Sequence, residues 1–139
     1  MSNANNKMVE FENVVVVIRG QEVDLSDLTY NEFSELMNSL EDEEIADVLI
    51  KCAKCGATLC DVMGDIFDKQ PGELTEDKTA VKKQMELIDK IHNAGAEVIM
   101  SSHVRKFISA EEVLKIALNH QERGADISKI VTFANSEEE

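Results

Sequence analysis

Residues 96–133 read AEVIMSSHVRKFISAEEVLKIALNHQERGADISKIVTF, and this stretch decides the fold. Its first seven residues form a largely apolar run that predicts a strand. Ser109-Ala-Glu-Glu112 then has the form of a capping box, so a helix begins there, and Gly124 supplies a residue free to turn left-handed after Arg123. A second apolar run, 127–133, follows at once. Strand, amphipathic helix and strand in succession predict two parallel strands joined by a helical crossover.

Working outward, the same unit recurs in kind though not in sequence. VVVVIRG (14–20) is a β-branched run ending in Gly, followed by predicted helices over about 31–40 and 42–54, the second closed by Gly56. ATLCDVM (57–63) predicts a further strand. After the loop GDIFDKQPGELTED comes a predicted helix near 77–94, with Val81, Met85, Ile88 and His92 on one face and Gly95 beyond it. Four apolar strands alternating with helices predict an α/β fold with a parallel sheet, and a doubly wound sheet and a β/α barrel both fit that pattern. SEEE (136–139) is itself shaped like a capping box, the start of a next helix in a longer βα series, or else an acidic, solvated tail. A single domain over 1–139 is expected, with 1–10 a disordered tail.

The composition narrows the function. Fourteen basic against twenty-eight acidic residues give a formal charge of −14, which repels a phosphate backbone or an anionic membrane surface, so neither a nucleic acid nor a membrane is an expected partner. The apolar run 14–18 is far short of a membrane span, and the polar start MSNANNK lacks a signal-peptide core; a cytoplasmic protein is expected. Three cysteines without a secretion signal argue against a disulfide framework. Cys52 and Cys55 form a C-x-x-C, but Ile45, Val48, Leu49 and Cys52 share a helical face, so Cys52 reads as a small core residue.

One residue stands out of phase with its chemistry. If Ile127, Val131 and Phe133 face a core, Lys129 faces it with them, because side chains on a strand alternate. Lysine is rarely buried without a partner. Two readings stay open on spacing alone: a structural lysine that reaches solvent or pairs with Asp126, and a desolvated, nucleophilic amine able to form a Schiff base with a carbonyl substrate. His103, just past the preceding strand, would lie close enough to move protons for the second.

The stretch from VIMSSHVRKF to the end resembles type I 3-dehydroquinate dehydratases, the Schiff-base enzymes of the shikimate pathway, around their fifth strand and sixth helix. Ser101-Ser102-His103, Glu111-Glu112 and Gly124-Ala-Asp-Ile-Ser-Lys129-Ile130 carry the resemblance, with His103 and Lys129 26 positions apart. It is specific over 96–139 and looser over 57–95. The resemblance implies a (β/α)₈ barrel and the dehydration of 3-dehydroquinate to 3-dehydroshikimate without metal or cofactor. It makes Lys129 the imine-forming residue and His103 the general acid/base. On approximate spacing, Arg19 and Glu22 correspond to the family's substrate-binding arginine and the glutamate that supports the histidine; a solvated Arg and Glu at a turn is the alternative.

A whole barrel takes 200 residues or more. The chain therefore reads as a central half-barrel that lacks the family's carboxylate-gripping arginine and lid, expected to form a homo-oligomer or to pair with a separate second half. A non-catalytic interaction module that keeps the Lys/His pair by descent is the alternative function. Asp61, Asp65, Asp68 and Glu73 crowd the loop after the second of the four strands, where Mg²⁺ is conceivable, but their spacing matches no ligand pattern and a solvated acidic loop is expected. His92 and His120 read as packed helix residues.

Overall fold

The computed structural model describes residues 14–135. The expected tail at 1–10 and the capping box at 136–139 lie outside the described residues. Within them run β1 (Val15–Ile18), β2 (Gln21–Asp24), α1 (Tyr30–Asn38), α2 (Asp42–Lys54), β3 (Leu59–Met63), α3 (Lys78–Asn93), β4 (Glu97–His103), α4 (Ala110–Glu122) and β5 (Ile127–Val131), with one 3₁₀ turn at Leu25–Asp27.

The helices start where their sequences supply acceptors for orphan amides. Thr29 with Glu32 and Ser109 with Glu112 form reciprocal capping boxes at α1 and α4, and the Asp77 carboxylate accepts from the Ala80 amide at 3.0 Å at α3. In α2, Asp42, Glu43 and Glu44 occupy the first turn and Lys51 and Lys54 the last, matching the helix dipole at both ends.

Among the described residues the strands form two sheets. β3, β4 and β5 make a parallel sheet in sequence order, with Asp61 opposite Ile99, Ser101 opposite Lys129 and His103 opposite Val131. The four-stranded parallel sheet expected from the sequence is corrected at its first strand, because β1 pairs antiparallel with β2 in a separate hairpin. Arg19 and Gly20, at φ 51° and 82°, form its two-residue turn; successive left-handed residues give the backbone twist that tight hairpins require. An Arg in that role carries no turn signature, so the run read as a strand leading to a helix.

The core explains why one face of the parallel sheet is closed. Cys60 and Val62 of β3 and Val98 and Met100 of β4 pack against Leu87, Ile88 and Ile91 of α3 and Ala46, Leu49 and Ala53 of α2. Full burial of each large aliphatic side chain contributes about 1.5–3 kcal/mol. A smaller cluster of Val16, Leu40 and Val48, flanked by Val23 and Phe33, ties the hairpin to α1 and α2. The opposite sheet face carries Leu59, Asp61, Ile99, Ser101, His103, Ile127, Lys129 and Val131. The burial expected of β5 on that face is absent: Ile127 is 44% exposed, Val131 42%, and Phe133 beyond the strand 56%. The phase was read correctly; the helices pack on the other face, and among the described residues nothing covers this face of β5. No closed barrel is formed by the described residues.

No described helix is long and apolar enough to cross a membrane. The three cysteines are free thiols, and burial raises the Cys52 thiol to about 11, which keeps it protonated as a small core group.

Candidate active site

The C-terminal ends of the parallel strands gather the chemistry. His103 closes β4, and its neighbour across the chain is Glu73, in the loop 64–77 that follows β3. One carboxylate oxygen of Glu73 accepts from the His103 backbone amide at 2.9 Å and lies 2.6 Å from His103 Nδ1. A carboxylate can only accept, so Nδ1 carries the proton in the neutral ring and Nε2 is left bare as the nitrogen able to take one up. The imidazole side chain is 34% exposed and borders a cavity of about 620 Å³ that runs between the loop residues Gly72 and Glu73 and Ile116 and Asn119 of α4; Lys129 does not line it.

Lys129 lies on the same sheet face, opposite Ser101 and one step diagonal to His103. Diagonal neighbours in a sheet are about 7–8 Å apart, a span that long side chains bridge. Ser101, fully buried, donates to Asp61 Oδ1 at 2.7 Å, so an acid, a hydroxyl and an amine follow one another across β3, β4 and β5. Lys129 itself is exposed. Asp126 is not its partner: that carboxylate accepts from the Val98 amide at 2.8 Å and contacts His92 Nε2 at 2.7 Å, and those bonds hold it below its ordinary range.

Arg19 and Glu22 are not brought to this site. Arg19 grips Glu44 with Nε at 2.9 Å and Nη2 at 2.8 Å, a two-point bridge from the hairpin turn to α2, and Glu22 is exposed on β2. The glutamate bonded to His103 is Glu73 instead of Glu22. Sequence reasoning placed Glu73 in an acidic loop and passed over it, because nothing in linear spacing tells which of four carboxylates a loop folds back onto a strand end.

The other loop acids build the loop. Asp65 accepts from the Gln70 amide at 2.9 Å, with burial raising its pKa, and Asp68 accepts from the Thr75 hydroxyl at 2.5 Å. No group of three or more potential metal ligands gathers among the described residues. From the helix side, buried Gln84 donates to the Gly64 and Ile66 carbonyls at 3.0 Å each, while Arg123 donates to the carbonyls of Gly64 at 3.2 Å and Thr75 at 2.5 Å. A side chain at Gly64 has no room: a Cβ there would stand 2.5 Å from the Glu73 carbonyl oxygen and 2.7 Å from Ser102 Oγ.

Glu73 is thus bonded to the strand-end His103, and Lys129 lies one step diagonal to that histidine on the same sheet face. Residues 72–139 match the type I 3-dehydroquinase family. The match begins just before Glu73, covers just under half the chain, and takes in His103 and Lys129. A solved type I 3-dehydroquinate dehydratase from Clostridium difficile, carrying covalently modified comenic acid, superimposes at a TM-score of 0.56 and 18% identity. The superposition covers 79% of this chain and 49% of that one, so the chain spans about half the length of that structure. At this identity the likeness shows the α/β fold. No curated protein matches the chain significantly.

Proposed function

We propose that the chain carries the reactive half of a 3-dehydroquinase-type lyase, in which Lys129 forms an imine with the ketone of 3-dehydroquinate and His103 moves the protons. The observation that supports it is the 2.6 Å Glu73–His103 pair on the sheet face that also bears Lys129. The amine adds to the carbonyl carbon and water leaves, giving an imine. The protonated imine draws electrons from the adjacent carbon; His103 Nε2 takes a proton there, and an enamine results. The enamine expels hydroxide from the next carbon with the proton His103 returns, and hydrolysis of the imine frees Lys129. The net change is loss of one water, with no oxidant, metal or cofactor required. Glu73 faces the imidazolium throughout and stabilises its charge.

Exposure of Lys129 fits a site whose opposite wall comes from elsewhere. In this reading the described βα units are part of a (β/α)₈ barrel, and the open face with Leu59, Ile127, Val131 and Phe133 is covered by the remaining βα units of such a barrel. The second reading, a non-catalytic interaction module, has only that open face behind it. Borohydride trapping separates them. With 3-dehydroquinate present, reduction is expected to add substrate mass to the peptide containing Lys129 and to leave Lys129→Ala unlabelled. Labelling at another lysine, or none at millimolar substrate in an assembly whose open face is covered, would reject the catalytic assignment.

A further inference from the structure

The covered face of the sheet holds a second histidine that the reaction does not use. His120, on the last turn of α4, is fully buried between β4 and β5, with Nε2 2.9 Å from Ser102 Oγ and Nδ1 2.6 Å from Ser128 Oγ. Ser102 Oγ also lies 2.7 Å from the backbone carbonyl of Glu73. For a neutral ring these contacts admit one proton assignment. A carbonyl only accepts, so the single Ser102 hydroxyl hydrogen goes to Glu73; His120 Nε2–H must then donate to Ser102, and its bare Nδ1 accepts from Ser128. The chain runs in one direction, from Ser128 through His120 and Ser102 to the main chain of Glu73.

Its last link falls where restraint is needed. Glu73 has φ 57°, in the left-handed region, directly after Gly72 at φ 81°. A non-glycine residue there is strained by about 1–3 kcal/mol and persists only where its surroundings fix it. The far side of the same residue is the carboxylate on His103. We infer that Ser102 and His120 are positioning residues: by holding the Glu73 carbonyl in this strained turn they keep its carboxylate on Nδ1 of His103, and so set the tautomer that leaves Nε2 free. This rests on the reading of Glu73 and His103 given above. Burial, aided by the nearby Arg123 guanidinium, presses the pKa of His120 down to about 4, so at neutral pH the ring has the one bare nitrogen that the assignment requires.

The test reads the tautomer of His103 by ¹⁵N NMR of the full chain at mildly alkaline pH, without any need for turnover. Wild type is expected to show a protonated Nδ1 and a bare Nε2. Ser102→Ala and His120→Phe are expected to shift both His103 nitrogens toward the averaged values of a free imidazole. His120→Gln, whose amide can still donate to Ser102, is expected to keep the wild-type pattern. Ser128→Ala, at an exposed position that does not threaten folding, is expected to shift the same way as Ser102→Ala but less. If Ser102→Ala and Ser128→Ala, with dispersed methyl spectra showing a folded core, both retain the wild-type His103 pattern, the positioning role is overturned while the Glu73–His103 pair stands. A wild-type His103 without a protonated Nδ1 overturns the pair itself and this inference with it.

Discussion

The two faces of the β3–β4–β5 sheet each hold a histidine, and they hold it in opposite ways. On the helix-covered face His120 is sealed from water, has both nitrogens bonded to hydroxyls, and is kept neutral by burial. On the open face His103 keeps one nitrogen anchored by a carboxylate and has no partner among the described residues at the other. Saturated hydrogen bonding fixes a ring; half-saturated bonding leaves it able to exchange a proton. The same strand supplies both environments, through Ser102 on one side and His103 on the other, because consecutive residues of β4 point to opposite faces.

The largest effect that would break this contrast is on turnover. In an assembly with the open face covered, His103→Ala is expected to leave some borohydride-trappable imine but to lower turnover on the order of 10²–10⁴-fold, while an unchanged rate would move His103 to the same structural class as His120. Stability should show the reverse asymmetry. Met100→Ala, on the covered face, is expected to lose about 2–5 kcal/mol in urea unfolding. Ile127→Ala, on the open face, should stay within about 0.5 kcal/mol, and a large loss there would mean that the face is covered in solution.

The histidines should also differ toward acid. His120 has a folded pKa of about 4 against an ordinary 6.5, so between those values the unfolded chain binds a proton that the folded chain refuses. Its contribution is complete above pH 6.5 and is lost as pH falls toward 4, amounting to about 3 kcal/mol. Urea midpoints of wild type and His120→Gln at pH 7 and pH 4 check this: the variant should lose less on acidification, and equal losses would contradict it. Smallest of all, Arg19→Ala removes an exposed pair with Glu44 that touches neither histidine, and should leave both the His103 tautomer and the thermal midpoint near wild type.

Much of the covered face was legible in the sequence. The capping box at Ser109, the closing Gly124, and the apolar phases of β3 and β4 all report local physics, and local physics is what linear patterns encode. The phase of Lys129 was legible for the same reason, but its burial was not, since that depends on what lies across the sheet. Arg19-Gly20 misled because a left-handed arginine looks like any other. Glu73 and the Ser102–His120–Ser128 chain were invisible because each link joins elements brought together only by packing. His120 was read as a packed helix residue, which it is; its two serine partners could be found only once the register of β4 and β5 was known.

The strand order of the parallel sheet matches the order of the chain, and that bears on how the site comes into being. Each new strand needs only the one made before it, so loop closures stay short and the sheet can grow stepwise as the polypeptide emerges. β3 with its loop brings Glu73 first; β4 then delivers His103 onto it; β5 brings Lys129 last, together with Ser128. During synthesis Glu73 and His103 can therefore meet before Lys129 exists, while the Ser128 hydroxyl that completes the chain to the Glu73 carbonyl arrives only with β5.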